Sequence, residues 1–316
     1  MKRAFIFPGQ GSQAVGMGKA LADAFPQAKA VFDEVDESLS QKLSTIMWEG
    51  PAEELTLTAN TQPALMAVSL AVIRVLEAEA GLDLEKHAAF VAGHSLGEYS
   101  ALAAVGSLSI SDTARLLRIR GNAMQNAVPV GQGAMAALLG LEYDAALEVA
   151  REAAEGEVCD AANDNGGAQV VVSGHKTAVE RAVAIAQTKG AKRAVMLAVS
   201  APFHCALMRP AQERLANDLA QLRFEDAKTP LVNNVEAHAV RAGDECREGL
   251  VRQVSAPVRW IEVVETLARE GVTTVVELGP GTVLGGLVKK IDKNLRVSNV
   301  EDPASLEATV AALREA

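Results

Sequence analysis

The stretch HAAFVAGHSLGEYSALAAVGS, residues 87–107, decides how this chain is built. Its first part, HAAFVAG (87–93), is an apolar run with the length of a buried strand. Its second part, from Leu96 onward, carries apolar and small residues as a helix does. Between them Gly93 and Gly97 bracket Ser95, so strand passes to helix through a turn that two missing Cβ atoms let close tightly. A nucleophile elbow has this form: a strained strand-to-helix turn that lifts a hydroxyl clear of the backbone. The helix start aims partial positive charge at that hydroxyl. The N–H of Leu96 is placed to donate to an oxyanion. The same residues also suit a plain βα turn with a capping serine, and the rest of the chain has to choose between the two.

Outward from this turn the pattern alternates. RAFIF (3–7) reads as a buried strand ended by Pro8-Gly9, and residues 14–24 and 27–38 read as helices. TQPALMAVSLAVIRVLEAEAG (61–81) is a long apolar helix stopped by Gly81, and SDTARLLRIRGNAMQNAV (111–128) is another. Residues 129–132 look like a hinge. After it come strand 133–141, helix 144–156, strand and polar loop 157–165, strand 169–174, helix 176–190 and strand 192–199. That order, βαββαβ, is the ferredoxin-like split motif. The chain then resumes with helix 206–221, strand TPLVNNV (229–235), helix 257–271 and strand TTVVELGPG (273–281) feeding a last helix. Strands separated by helices imply a parallel sheet. The expectation is an α/β fold: an α/β-hydrolase-like core of residues 1–128 and 199–316, with a small ferredoxin-like domain, 129–198, inserted in it.

Composition narrows the function. The 316 residues carry a formal charge of −10, which argues against nucleic acid as a partner and lets an acidic protein dock only on a local basic patch. No apolar run approaches the ~20 residues that span a bilayer, so no membrane is expected. The run after Lys2-Arg3 is too short for a signal peptide. Three cysteines, Cys159, Cys205 and Cys246, without CxxC spacing argue against a disulfide framework or a zinc site and for the reducing cytoplasm. No metal ligand set is read from the chain.

A serine nucleophile needs a base, and five histidines are available. His94 adjoins Ser95, and neighbouring side chains diverge in a sharp turn; it reads as a packing or hydrogen-bonding residue. His87, His175 and His238 lie at strand ends or in a polar loop. His204, in SAPFHCALM, projects from a loop where the small domain rejoins the large one, and such loops line clefts. Asp160 and Asp164 fall between Ser95 and His204 as a triad acid would, but on the small domain; a backbone carbonyl is the other way to orient the imidazole. FPGQGSQ (7–13) and GPGTVLGG (279–286) match neither phosphate-loop template and read as βα turns, the first placing Gln10 at the sheet's C-terminal edge. Arg120 lies in an apolar part of its helix, where a buried guanidinium needs an anionic partner.

Together FPGQGSQ, GHSLGEYSAL, RGNAMQ, GAMAALLG, AANDNGGAQVVVSG, SAPFHCALM, VRQVSAPVRW and ELGPG resemble the malonyl-CoA:acyl carrier protein transacylase family over nearly the whole chain. The resemblance implies ping-pong acyl transfer, with no cofactor of the enzyme's own, since phosphopantetheine comes on the partner. Malonyl-CoA and acyl carrier protein would be the partners, in fatty acid biosynthesis, with a polyketide pathway as the alternative. Ser95 would be the nucleophile and His204 the base. The N–H groups of Gln10 and Leu96 would form the oxyanion hole, and Gln253 of the RQV motif would mark the carbonyl that orients His204. Arg120 would bind the malonyl carboxylate, and Phe203 would exclude an α-methyl group. Asn163 and Asn165 would face the acyl group or the pantetheine arm. Lys189, Lys192 and Arg193, or Lys289, Lys290 and Lys293, would offer the acidic carrier a dock. Two other readings stay open here. One is an esterase or thioesterase, which would lack a use for Arg120. The other is a carrier-binding module with a dead site, against which the intact set of Gln10, Ser95, Arg120 and His204 speaks. Cys205 as nucleophile is disfavoured because it adjoins its own base.

Overall fold

In the computed structural model, which describes residues 2–314, ten strands form two sheets. Residue 1 and residues 315–316, the ends of the expected large domain, lie outside the described residues. The strands are β1 (Arg3–Phe7), β2 (Phe90–Gly93), β3 (Gly133–Leu139), β4 (Cys159–Asp164), β5 (Gln169–His175), β6 (Arg193–Met196), β7 (Leu231–Val232), β8 (Ala239–Val240), β9 (Thr274–Leu278) and β10 (Arg296–Val300). The larger sheet has the order β10-β9-β1-β2-β7-β8. It is parallel except for β8, which closes one edge antiparallel to β7.

Alternation along β1 builds two cores at once. Phe5 and Phe7 point into one and Ala4 and Ile6 into the other, because successive strand residues face opposite ways. Helices Pro26–Leu39, Thr58–Ala80 and Ile110–Asn126 cover the first face. Helices Trp260–Arg269 and Val283–Ile291 cover the second. A strand covered on both faces reads as an unbroken apolar run, which is why RAFIF and FVAG show no polar alternation.

The smaller sheet, order β4-β5-β3-β6, is antiparallel throughout. Helices Tyr143–Ala154 and Lys176–Thr188 share a core with it that includes Leu138, Val149, Val172 and Val179. Its strand order is that of the ferredoxin-like motif. β4 also touches the larger unit: Asn163 bridges Val258, and the Asp164 N–H donates to the Val258 carbonyl at 2.9 Å.

Several local expectations are corrected. Residues 15–18 are turns, with Gly16 and Gly18 at φ 97° and 77°, and the helix starts only at Lys19. Short helices Leu43–Glu49 and Ala52–Thr56 were not foreseen, because one or two turns show too little periodicity to read. The strand expected over 229–235 is only Leu231–Val232, since Asn233 and Asn234 leave the sheet to serve the site below. The last strand of the small domain is four residues rather than eight.

Candidate active site

Ser95 stands between β2 and helix Gly97–Ala104 with φ 53°, in the left-handed region that a side-chain-bearing residue adopts at a cost of about 1–2 kcal/mol. The glycines make the turn possible. A Cβ on Gly93 would lie 2.0 Å from the carbonyl of Gly97, and one on Gly97 would lie 2.2 Å from the Phe7 carbonyl oxygen. Two amides hold the strained residue: the Ser95 N–H donates to Asn234 Oδ1 at 2.8 Å, and Gln253 Nε2 donates to the Ser95 carbonyl at 3.0 Å.

His204, from the loop after β6, brings Nε2 to 2.7 Å from Ser95 Oγ. Its Nδ1 faces the carbonyls of Gln253, at 2.9 Å, and Ala256, at 3.2 Å. Carbonyls only accept, so Nδ1 carries the hydrogen and Nε2 presents its lone pair to the serine hydroxyl. Burial, and then the Arg120 charge, push the imidazole down to about 3. It therefore rests neutral, the state a general base needs. Asp160 is not part of this arrangement: its carboxylate accepts the Ala206 N–H at 2.8 Å. Asp164 faces the Gly166 N–H. The geometry is a dyad oriented by main chain.

Arg120 is 1% exposed and reaches the Ser95 hydroxyl. Nη2 donates to Ser95 Oγ at 3.0 Å and to Gln253 Oε1 at 2.9 Å, and Nη1 donates to Gln62 Oε1 at 2.9 Å. Its Nε–H is buried without a partner, and its cation lies 5.4 Å from the Tyr99 ring centre. No carboxylate bonds directly to it among the described residues. Such a guanidinium is a charged socket awaiting an anion.

These groups open on a cavity of about 910 Å³ between the two sheets. Gln10, Leu96, Asn163, Asn165 and Phe203 all line it. Gln10 follows β1, on a turn whose Gly9 lies so close to the elbow that a Cβ would be 2.7 Å from the His94 carbonyl oxygen. Neither the Gln10 nor the Leu96 N–H has an acceptor among the described residues, so both are available to a ligand. Asn165 is partly committed: its Oδ1 meets His94 Nε2 at 3.0 Å, which ties the small domain to the elbow. His94 is thus the hydrogen-bonding residue expected of it.

The two basic clusters lie nearer each other than their sequence positions suggest. Lys192 packs on Gly140, whose N–H donates to Ala168; Lys290 packs on neighbouring Gly167. Lys189 is paired with Glu152 at 2.6 Å.

A family profile described as an acyl transferase domain matches residues 4–309. A malonyl CoA-acyl carrier protein transacylase of Bacillus subtilis (strain 168) is 47% identical over 315 residues, 99% of this chain and 98% of that protein. The chain belongs to the malonyl-CoA:acyl carrier protein transacylase family. The enzyme of that name from Escherichia coli (strain K12) is 46% identical across 97% of this chain and 98% of its own. Among solved structures, an acyl-carrier-protein-S-malonyltransferase from Bartonella henselae matches with a TM-score of 0.97 and 53% identity, covering 99% of this chain and all (100%) of that one. A malonyl-transacylase in complex with its type II PKS acyl-carrier protein matches with a TM-score of 0.95 and 43% identity, covering 99% of this chain and 100% of that one.

Within this transacylase-family site, four residues escaped the sequence reading: Gln62, Glu98, Tyr99 and Asn234. Gln62 had a signal, a lone amide in the apolar run TQPALMAV, where it is 1% exposed. Glu98 had one too, an acid flanked by apolar and small residues in the helix that follows the elbow. Asn234 had none, since only folding brings residue 234 to residue 95.

Proposed function

We propose that this chain moves a malonyl group from malonyl-CoA to the phosphopantetheine thiol of acyl carrier protein through a malonyl-serine ester, in fatty acid biosynthesis. The observation that carries the proposal is the buried guanidinium of Arg120, free of any direct carboxylate partner and 3.0 Å from the nucleophilic oxygen. A malonyl group esterified to Ser95 keeps one carboxylate about two carbons from the ester carbonyl. Arg120 can meet it side-on with its open Nε–H and with Nη2. An acetyl group has nothing to offer there, and an esterase has no use for the charge.

In the proposed reaction Ser95 Oγ attacks the thioester carbonyl and its proton passes to His204 Nε2. The N–H groups of Gln10 and Leu96 hold the oxyanion. An imidazolium whose pKa is depressed is a strong acid, so His204 hands the proton to the departing thiolate of coenzyme A. The carrier's thiol then repeats the steps in reverse. Phe203, beside His204 on the cavity wall, fills space that an α-methyl would need. The carrier docks on the basic residues around Gly140 and Gly167, against which Lys192 and Lys290 pack from two parts of the chain. The thioester is already activated, so the reaction calls for no resident metal or cofactor. No helix among the described residues is long and apolar enough to cross a membrane. A cytoplasmic location follows in the proposal from the substrate and from three unpaired cysteines.

Intact-protein mass spectrometry after brief exposure to malonyl-CoA tests this. The expected result is a malonyl adduct on Ser95 that persists alone and passes to added carrier protein. An adduct lost at the same rate with and without carrier would make the protein a hydrolase.

A further inference from the structure

Glu98 is fully buried, at 0% exposure, on the first turn of the helix that starts just after the nucleophile. Its Oε2 accepts two hydrogen bonds, from Gln253 Nε2 at 2.8 Å and from the Asn234 N–H at 3.0 Å. Its Oε1 has no partner, so the carboxylate is not placed for its own sake. The two residues it anchors are the two that grip the strained turn. Asn234 takes the Ser95 N–H and gives Nδ2 to the Gly93 carbonyl at 2.7 Å; Gln253 gives Nε2 to the Ser95 carbonyl. Gln253 also supplies the carbonyl that holds His204 and the Oε1 that holds Arg120.

The direction of these bonds follows from the carboxylate. An ionised Glu98 can only accept, so the Gln253 amide must turn its NH2 toward it and its oxygen toward Arg120, which can only donate. With a neutral residue at position 98 the Arg120 guanidinium still calls for the Gln253 oxygen, but the bonds from Gln253 Nε2 and the Asn234 N–H lose the charge that strengthens them. The two amides that grip the Ser95 turn are then held less firmly.

We infer that Glu98 is a positioning residue for acyl transfer. Acting through Gln253 and Asn234, it fixes the nucleophile, the base and the carboxylate socket in one register, and it is the counter-charge that a buried Arg120 otherwise lacks. It touches no reacting atom. The inference rests on the reading of Ser95 as the acylated residue.

The carboxylate is poised to lose this role on mild acidification. Burial raises it to about 7, against the Gln253 and Asn234 bonds and the Arg120 charge, which lower it. Glu236, on the loop after β7, raises it slightly; Tyr99, beside it on the same helix, and Cys246, on helix Gly243–Gln253, complete the titratable groups that face it. His204, already depressed to about 3, does not titrate in the same range.

The test is the single-turnover rate of Ser95 acylation by malonyl-CoA from pH 6 to 9, for the parent protein and for Glu98→Gln, which is isosteric. A fluorophosphonate that phosphonylates the same hydroxyl is run in parallel. The parent rate should fall as pH falls through about 7. Glu98→Gln, with an unchanged melting temperature, should react ~10–100-fold more slowly at pH 8, the scale of a small misplacement of reacting groups, and only a few-fold more slowly at pH 6. A rate ratio that is the same at both pH values, or no loss at pH 8, would overturn the inference. The parent protein keeps the test open even where the variant does not fold, because a parent rate flat across the range would also overturn it. A fluorophosphonate rate that tracks Glu98 while malonyl-CoA leaves no adduct would keep Glu98 as the residue that positions the Ser95 hydroxyl and overturn the malonyl transfer proposed above.

Discussion

Arg120→Ala separates recognition of the acyl group from the chemistry at its carbonyl. In the free protein Arg120 spends Nη1 on Gln62 and Nη2 on Gln253 and Ser95 Oγ, and leaves Nε–H unused. A malonyl carboxylate arriving on the Nε edge replaces the contact to Ser95 and gives the idle donor a partner. The gain is about two charge-assisted hydrogen bonds, each worth ~1.5–3 kcal/mol. Part of one is offset by the lost serine contact, which leaves ~3–4 kcal/mol. At 1.36 kcal/mol per decade, malonyl transfer by Arg120→Ala should lose about 10²- to 10³-fold in kcat/KM. Acetyl transfer should change little, because the acetyl group never used the guanidinium. The assay is release of coenzyme A from malonyl-CoA and acetyl-CoA, with carrier protein as acceptor in both. A malonyl-to-acetyl ratio that stays where it was would refute the assignment, whatever happened to the absolute rates.

Other consequences follow from the same geometry. Asp160→Asn should keep activity within about threefold, since its carboxylate serves the Ala206 N–H and not His204; a thousandfold loss in a steady-state assay would restore a triad. Ser95→Gly and Ser95→Ala both abolish acylation, but the glycine variant should unfold at higher temperature, because only glycine occupies φ 53° without strain of about 1 kcal/mol; calorimetry showing the alanine variant equal or better would contradict the strained elbow. Gly97→Ala, whose Cβ would meet the Phe7 carbonyl, should lower stability by about 1–3 kcal/mol in urea titration, and an unchanged midpoint would mean the turn is looser than described. The depressed His204 binds its proton more readily unfolded than folded. Between its ordinary value near 6.5 and about 3, stability should therefore fall with pH, by at most about 1.4 kcal/mol per unit from this group. His204→Gln should flatten that slope in acid unfolding curves, and an unaltered slope would count against a buried neutral imidazole.

The parts of the molecule that could be read in advance are those where one residue type answers one local demand. The glycines around Ser95 are needed because backbone passes within 2–3 Å of where their side chains would be, and that demand is written within five residues of sequence. The small sheet was legible because its strands and helices alternate within some 65 residues and close on themselves. His204 was legible by elimination and by its place at a domain junction. The carbonyls that orient it leave no mark in side-chain chemistry: the one of Gln253 was placed only through family resemblance, and the one of Ala256 was not foreseen. Glu98 and Asn234 were hidden for a different reason. Their partners lie 136 and 139 residues away along the chain, so their roles exist only after β7 has paired with β2.

Chain order adds a consequence for the newborn protein. Ser95 and His204 are 109 residues apart, and the carbonyl of Gln253 comes 49 residues later still. At the usual pace of synthesis, about 5–20 residues per second, a ribosome finishes Ser95 roughly 5–20 s before His204. Throughout that interval Ser95 lacks the imidazole that stands 2.7 Å from its hydroxyl in the finished protein. On the proposed roles the small domain, translated in between, acts as a delay line: a nascent or prematurely terminated chain should not strip malonyl groups from coenzyme A, and catalysis should switch on only when the last third of the polypeptide has come home.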